Sequence, residues 1–259
     1  MHAPIRGWWM LTWGIWPMSD TVLTVESLTA GYVPEMPILH DVDMHLDRGE
    51  IVSIIGPNGA GKTTLIKSIA GLLIIESGRI RAGEEDLIGI RPDEMTRFDI
   101  AYVPQTDNIF KSLTIKQNLL LAANRGDDPA AYIDKLFSMF ADLRSKQSQK
   151  ARQLSGGQRQ MLAIAMALVA APKIILMDEP TAGLSPKIAG EILELIVRIA
   201  KNDVSIILVE QNVRAAMNIS DRTYVLAEGQ NQVDGNSREL MKGKLIADIY
   251  LGGRRFKTS

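Results

Sequence analysis

The segment Gly56-Pro-Asn-Gly-Ala-Gly-Lys-Thr63 holds its glycines, lysine and hydroxyl at the spacing of a phosphate-binding loop. Glycines let the backbone wrap so that its N–H groups point inward at phosphate oxygens, and a helix starting there adds its positive end. Lys62 would reach the β and γ phosphates as a point charge. The Thr63 hydroxyl would ligate Mg²⁺, which keeps water and phosphate as most of its other ligands. The candidate binding residues are Gly56, Pro57, Asn58, Gly59, Ala60, Gly61, Lys62, Thr63 and Thr64. A glycine-rich turn is the plainer reading, and the apolar run before and helical spacing after count against it.

Ile174-Ile-Leu-Met-Asp-Glu179 ends an apolar run in two adjacent carboxylates. Neighbours on a strand alternate direction, so the two can do different jobs. Asp178 would hold Mg²⁺ through its water shell, while Glu179 would orient the attacking water or accept its proton. Alone, an acidic pair at a strand end is more often a solvated turn; joined to a phosphate loop it reads as catalytic. Leu154-Ser-Gly-Gly-Gln-Arg159 is a second glycine-rich helix start, ahead of an Ala- and Leu-rich helix over Gln160 to Ala171. Ser155, Gly156, Gly157 and Gln158 therefore offer a second anion site, and one chain carries two half-sites for one ligand. A simple cap at Ser155 would explain the serine but not the two glycines.

Such motifs need strands that end in loops. Val22 to Val25 and Val42 to Leu46 read as strands, the second alternating apolar and polar, and Ile51 to Ile55 is a continuous apolar run typical of a strand buried on both faces. Thr63 to Leu73 has helical spacing and ends over Leu72 to Ile75, giving strand, glycine loop and helix. Ile100 to Val103 is another short strand. Thr114 and Gln117 form a capping box, and Asp128 followed by Pro129 opens a second helix with Ile133, Leu136, Phe137, Phe140 and Leu143 on one face. This helical insert runs to about Gln153. Lys173 to Met177 and Val204 to Val209 return to buried strands, and Ile188, Ile192, Leu195, Ile196 and Ile199 mark the core face of the helix between them. Alternating strands and helices mean an α/β fold with a parallel sheet.

With 29 basic and 30 acidic residues among 259, bulk charge offers no hold on a polyanion, so no nucleic-acid partner is expected. The absence of cysteine excludes a disulfide framework and a thiolate metal site, and fits a reducing compartment. The three histidines, His2, His40 and His45, all lie before residue 46, so the second half of the chain holds no histidine chemistry. No apolar run after residue 20 reaches the roughly 18 residues that cross a bilayer. Residues 1–17 differ from the rest: Arg6 precedes Trp8, Trp9, Met10, Leu11, Trp13, Ile15 and Trp16, and they include every tryptophan. The expected reading is an upstream extension, with translation beginning at Met18. The basic end, Arg254, Arg255 and Lys257, reads as a solvated tail.

The three motifs in this order, with Tyr32, Gln105 and Gln211 around them, resemble the nucleotide-binding subunit of ABC transporters over residues 21–252. The resemblance implies a P-loop NTPase core of mainly parallel sheet, an antiparallel β subdomain and an α-helical subdomain. It divides the chain into the 1–17 extension and an 18–259 ABC ATP-binding domain, with core at 21–105 and 154–252 and helical subdomain about 106–153. It implies ATP and Mg²⁺ as cofactors and head-to-tail pairing with a second ATPase subunit, so that ATP on Lys62 of one copy is closed over by Ser155 and Gly157 of the other. Tyr32 matches the aromatic that stacks on adenine. Gln105 matches the glutamine that touches Mg²⁺ and the water and links the site to the helical insert, where such subunits grip their integral-membrane permease partners. An external solute-binding protein is implied indirectly, and the subunit would sit peripherally on the cytoplasmic face of the cell membrane.

Two positions depart from the common family pattern. Gln211, in Val209-Glu-Gln-Asn212, stands where most members have histidine; its amide can donate a hydrogen bond to the γ-phosphate but cannot carry charge. Ser185, in Thr181-Ala-Gly-Leu-Ser-Pro186, stands where aspartate is usual. Both strings, with the Tyr250 to Gly253 ending, resemble the branch of ATPases of branched-chain amino acid importers and relatives for urea or short amides. The expected function is thus the ATPase of an importer for such solutes. The alternatives are a soluble ABC ATPase not engaged in transport, and a low-turnover nucleotide switch suggested by Gln211 and Ser185.

Overall fold

A computed structural model describes residues 21–123, 133–134 and 136–243. The 1–17 extension, the Asp128-Pro129 helix start, the Tyr250 to Gly253 ending and the basic tail lie outside the described residues. In chain order the elements are β1 Thr21–Gly31, β2 Leu39–Asp47, β3 Ile51–Ile55, α1 Lys62–Ile69, β4 Ile74–Ala82, β5 Glu85–Asp86, β6 Ile100–Val103, α2 Ile115–Ala122, α3 Ala141–Ser145, α4 Gly156–Val169, β7 Ile174–Asp178, α5 Pro186–Ala200, β8 Ser205–Val209, α6 Val213–Ile219, β9 Arg222–Ala227, β10 Gln230–Asn236 and α7 Ser237–Leu240. Short 3₁₀ turns precede β6 and α4.

Six strands form one sheet in the order β10-β9-β3-β8-β7-β6, with every pair parallel except β10 on β9. All five residues of β3, β7 and β8 are buried. Strand alternation divides them between two cores. Ile51, Ile175, Met177, Ile206 and Leu208 face α4, α5 and the helical insert. Val52, Ile54, Ile174, Leu176, Ile207 and Val209 face α1 and a second, antiparallel sheet of order β2-β1-β4-β5. The apolar runs of the sequence are thus the middle layer of the fold.

Most expected elements are present with shifted ends, but the expected single helix through Ile133, Phe140 and Leu143 is broken: residues 137–139 form a turn, Phe140 is non-helical and α3 starts afresh at Ala141. Helix α1 stops at Ile69, short of the expected Leu73, because Gly71 turns left-handed (φ 71°) and Ile74 already belongs to β4. Helix α4 begins at Gly156 and ends at Val169. The Thr114–Gln117 capping box forms, with Thr114 Oγ1 accepting from Gln117 N at 3.1 Å. Ile133, Leu136, Phe137, Phe140 and Leu143 are buried together beneath α4. Ile188, expected on the core face of α5, is only half-buried, because it packs over Gly157 instead of beneath the sheet. Among the described residues no helix is long and apolar enough to cross a membrane.

Candidate functional site

Strand order alone assembles the site. β3, β8, β7 and β6 lie side by side and parallel, so their carboxyl ends form one row with neighbours about 4.8 Å apart. The row presents the Gly56 loop, then Glu210 and Gln211, then Asp178 and Glu179, then Gln105.

The phosphate loop is pressed between other elements, which fixes its shape. Gly61, the N-cap of α1, has φ 97°, and a Cβ there would stand 2.7 Å from Leu39 Cδ2. On the loop's outer side Gly229 N donates to Ala60 O at 3.1 Å, and a Cβ on Gly229 would lie 1.8 Å from Ile38 O. The turn joining β9 to β10 therefore braces the loop, a support that sequence reading missed. No side chain caps α1, so the N–H groups of its first turn remain available to an anion. Lys62 is 6% exposed and its Nζ donates to Gly56 O at 2.9 Å and Pro57 O at 3.1 Å. Burial lowers its pKa, opposed by the charges of Glu179 and Asp178.

Thr63 Oγ1 donates to Asp178 Oδ1 at 3.2 Å. Burial raises the Asp178 pKa, the Thr63 hydrogen bond works against that rise, and the Glu179 charge adds to it. Glu179 is 8% exposed, and its Oε2 accepts from Gln105 Nε2 at 2.5 Å and from Gln211 Nε2 at 2.7 Å. Its backbone is left-handed (φ 48°), an uncommon state for a glutamate, held by its N–H donating to Val209 O at 2.9 Å. The two glutamines thus clamp one carboxylate oxygen from opposite strands. Tyr32 is half-exposed, with Lys67 Nζ 5.5 Å from its ring centroid. Tyr102, not singled out by sequence, buries a hydroxyl that lacks a hydrogen-bond partner of good geometry, and burial, then the Asp178 charge, pushes its pKa up.

Ser155 and Gln158 form a reciprocal capping box: Ser155 Oγ accepts from Gln158 N at 3.3 Å, and Gln158 Oε1 from Ser155 N at 3.2 Å. Each of the two side chains thus bonds to the other residue's backbone, at the helix start itself. The glycines have a packing reason as well: a Cβ on Gly157 would stand 2.3 Å from Ile188 Cγ2, and one on Gly156 would stand 3.3 Å from Leu184 Cδ2.

Glu210 is the other residue that sequence reading passed over. It is 2% exposed, and its Oε1 accepts from Thr181 N at 3.0 Å. Burial raises its pKa above the ordinary glutamate value of 4.5, with the Thr181 hydrogen bonds opposing. Between pH 4.5 and that raised value the folded chain keeps a proton that the unfolded chain has lost, so the stability it contributes falls as pH rises through this window. Glu210→Gln is therefore expected to raise the melting temperature at pH 7 and to flatten the fall in stability between acid and neutral pH. Calorimetric melts of both proteins across that range check it; an unchanged pH profile contradicts it.

Comparison with known proteins shows the family. The family model described as ABC transporter matches residues 39–182. A probable branched-chain amino acid transport ATP-binding protein LivF of Archaeoglobus fulgidus is 41% identical, covering 89% of this chain and 99% of its own. The high-affinity branched-chain amino acid transport ATP-binding protein BraG of Pseudomonas aeruginosa is 38% identical, covering 86% and 96%. Among solved structures, the ADP conformation of an ATP-binding cassette of an ABC transporter superposes with a TM-score of 0.79 at 28% identity, covering 90% of this chain and all of that one. The likeness to nucleotide-binding cassettes thus runs over nearly the full length of the chain, which belongs to the ABC transporter family as one of its ATPase subunits.

Proposed function

We propose that the chain hydrolyses ATP in a head-to-tail pair of ATPase subunits and so drives import of branched-chain amino acids or similar small polar solutes. The observation that carries the chemistry is the clamped carboxylate: Glu179, buried, with Oε2 held by Gln105 and Gln211. Water attacks the γ-phosphorus, the bond from that phosphorus to the bridging oxygen of the β-phosphate breaks, and ADP and phosphate result. Glu179 orients that water and takes its proton. Lys62 and the loop amides from Gly56 to Thr64 bind the phosphates, and the exposed Tyr32 ring stacks on adenine.

The residues fit Mg²⁺. Thr63 and Asp178 are oxygen donors within 3.2 Å of each other, Gln105 keeps its amide oxygen free after donating to Glu179, and the buried Asp178 charge gains from a cation. When bound, the ion neutralises charge on the β- and γ-phosphate oxygens. Ser155, Gly156, Gly157 and Gln158 close over ATP on the partner subunit.

The likeness to LivF and BraG supports the solute class, since both are named for branched-chain amino acid transport. An apolar groove of about 400 Å³ along the free edge of β6, lined by Tyr102, Pro104, Ala122, Ala163 and Met166, borders the loop carrying Gln105 and suits a loop of the membrane permease. The exposed Phe110, Leu120 and Leu121 of the helical insert extend that apolar surface. The subunit would then sit peripherally on the cytoplasmic face of the membrane, with the solute-binding protein on the far side. The test is reconstitution: the chain purified from detergent-solubilised membranes should bring multi-span subunits, and vesicles containing them should take up labelled leucine with ATP. Recovery with ribosomes or RNA instead, and no leucine uptake, would favour the non-transport alternative.

A further inference from the structure

Glu210 sits between two moving parts of the proposed machine. It follows Val209 at the end of β8 and precedes Gln211, whose amide holds Glu179. Its carboxylate reaches across to β7's outgoing turn, where it accepts from Thr181 N. That turn is closed by Ala182 N to Glu179 O at 3.1 Å and Leu184 N to Thr181 O at 3.2 Å. The turn then delivers Leu184 beside Gly156, and α5 lays Ile188 on Gly157. An unbroken run of contacts therefore joins Gln211, at the chain's own phosphate site, to the serine-glycine helix start that serves the other subunit.

Burying a carboxylate here costs solvation that an apolar residue would not, so its hydrogen bond must compensate. At the far end of the turn Ser185 makes no side-chain capping bond to α5. We infer that Glu210 is a positioning residue: by fixing the Thr181 turn to the end of β8, it passes a shift of Gln211 at one nucleotide site to the half-site completing the other. The inference rests on the head-to-tail reading above. A coupling of this sort is a difference in binding free energy between two states of the pair, and it shows as cooperativity in ATP.

The test separates reach from charge. Glu210→Gln keeps an acceptor at the same distance, whereas Glu210→Asp keeps the charge but is about 1.5 Å too short to meet the Thr181 N–H. Turnover against ATP concentration is expected to be sigmoidal for the wild type and for Glu210→Gln. For Glu210→Asp the Hill coefficient should fall to about 1, while half-saturating ATP changes less than about threefold. Cooperativity kept by Glu210→Asp, or lost in Glu210→Gln, overturns the inference. Should the Asp variant not fold, hydrogen exchange in the Glu179→Gln chain decides: ATP should slow exchange at Thr181 and at Gly156–Gly157 together, and slowing at only one of them overturns it. If that same chain stays monomeric with ATP, the head-to-tail reading fails and this inference with it; a dimer with unaltered Glu210→Asp cooperativity sinks only the inference.

Discussion

Glu179→Gln is expected to cut steady-state ATP turnover by about 10²–10⁴, the usual contribution of a positioned general base. The substitution is nearly isosteric, so the fold and the contacts from Gln105 and Gln211 need not be lost. What disappears is a carboxylate able to accept a proton; an amide in its place cannot. Because both glutamines donate to Oε2, the other oxygen is the one left to meet water. Removing this charge also relieves repulsion of Asp178 and of the phosphates, so ATP affinity should be kept or improved. Bound but unhydrolysed ATP should then hold two chains together. Phosphate release, ATP binding and sedimentation on one preparation check all three parts. Turnover equal to wild type removes Glu179 from its role, and it would revive the reading of the chain as a slow switch.

Gln211 bears on that same comparison. A histidine there could present a positive charge to Glu179 or to phosphate, whereas an amide offers only a hydrogen bond. The structure places this amide 2.7 Å from Glu179 Oε2 without neutralising it. Two neutral amides thus hold one oxygen of the carboxylate and leave the other to take a proton from water. Gln211 brings a hydrogen bond and no charge to the site.

Legibility in the sequence followed physical constraint. The phosphate loop and the acidic pair were readable because phosphate geometry dictates their spacing and because the strands before them, β3 and β7, are apolar throughout. The order of strands was not readable, yet it alone brings Gln105 and Gln211 onto one oxygen of Glu179. β4 escaped notice because Ile74–Ala82 alternates poorly and buries only Ile80 and Ala82. β10 buries none of its residues fully, and its place at the sheet edge depends on pairing with β9. Glu210 was hidden for a different reason: an acidic residue at a strand end reads as solvated until the neighbouring strand's Thr181 N–H is seen to meet it. In the sequence Gly157 reads only as a ligand position, because its contact with Ile188 comes from a helix some thirty residues on.

Lys62→Ala is expected to weaken ATP binding by about 100-fold or more, since charge-assisted hydrogen bonds contribute roughly 1.5–3 kcal/mol each and this side chain is placed to make them to two phosphates. The loop amides and the α1 terminus would remain, but they carry partial charges against a triphosphate. Stability should move little or upward, because the ammonium is buried and burial already opposes its charge. Its bonds to Gly56 O and Pro57 O hold it folded over the loop, so binding requires the side chain to exchange carbonyl partners for phosphate oxygens. That exchange favours phosphate, as an anionic acceptor outcompetes a neutral carbonyl. Titration calorimetry with Mg²⁺ and ATP, run beside a thermal melt, separates the two effects: lost affinity with an unchanged melt places Lys62 on the ligand, whereas affinity within about threefold of wild type would leave the phosphates to the backbone alone.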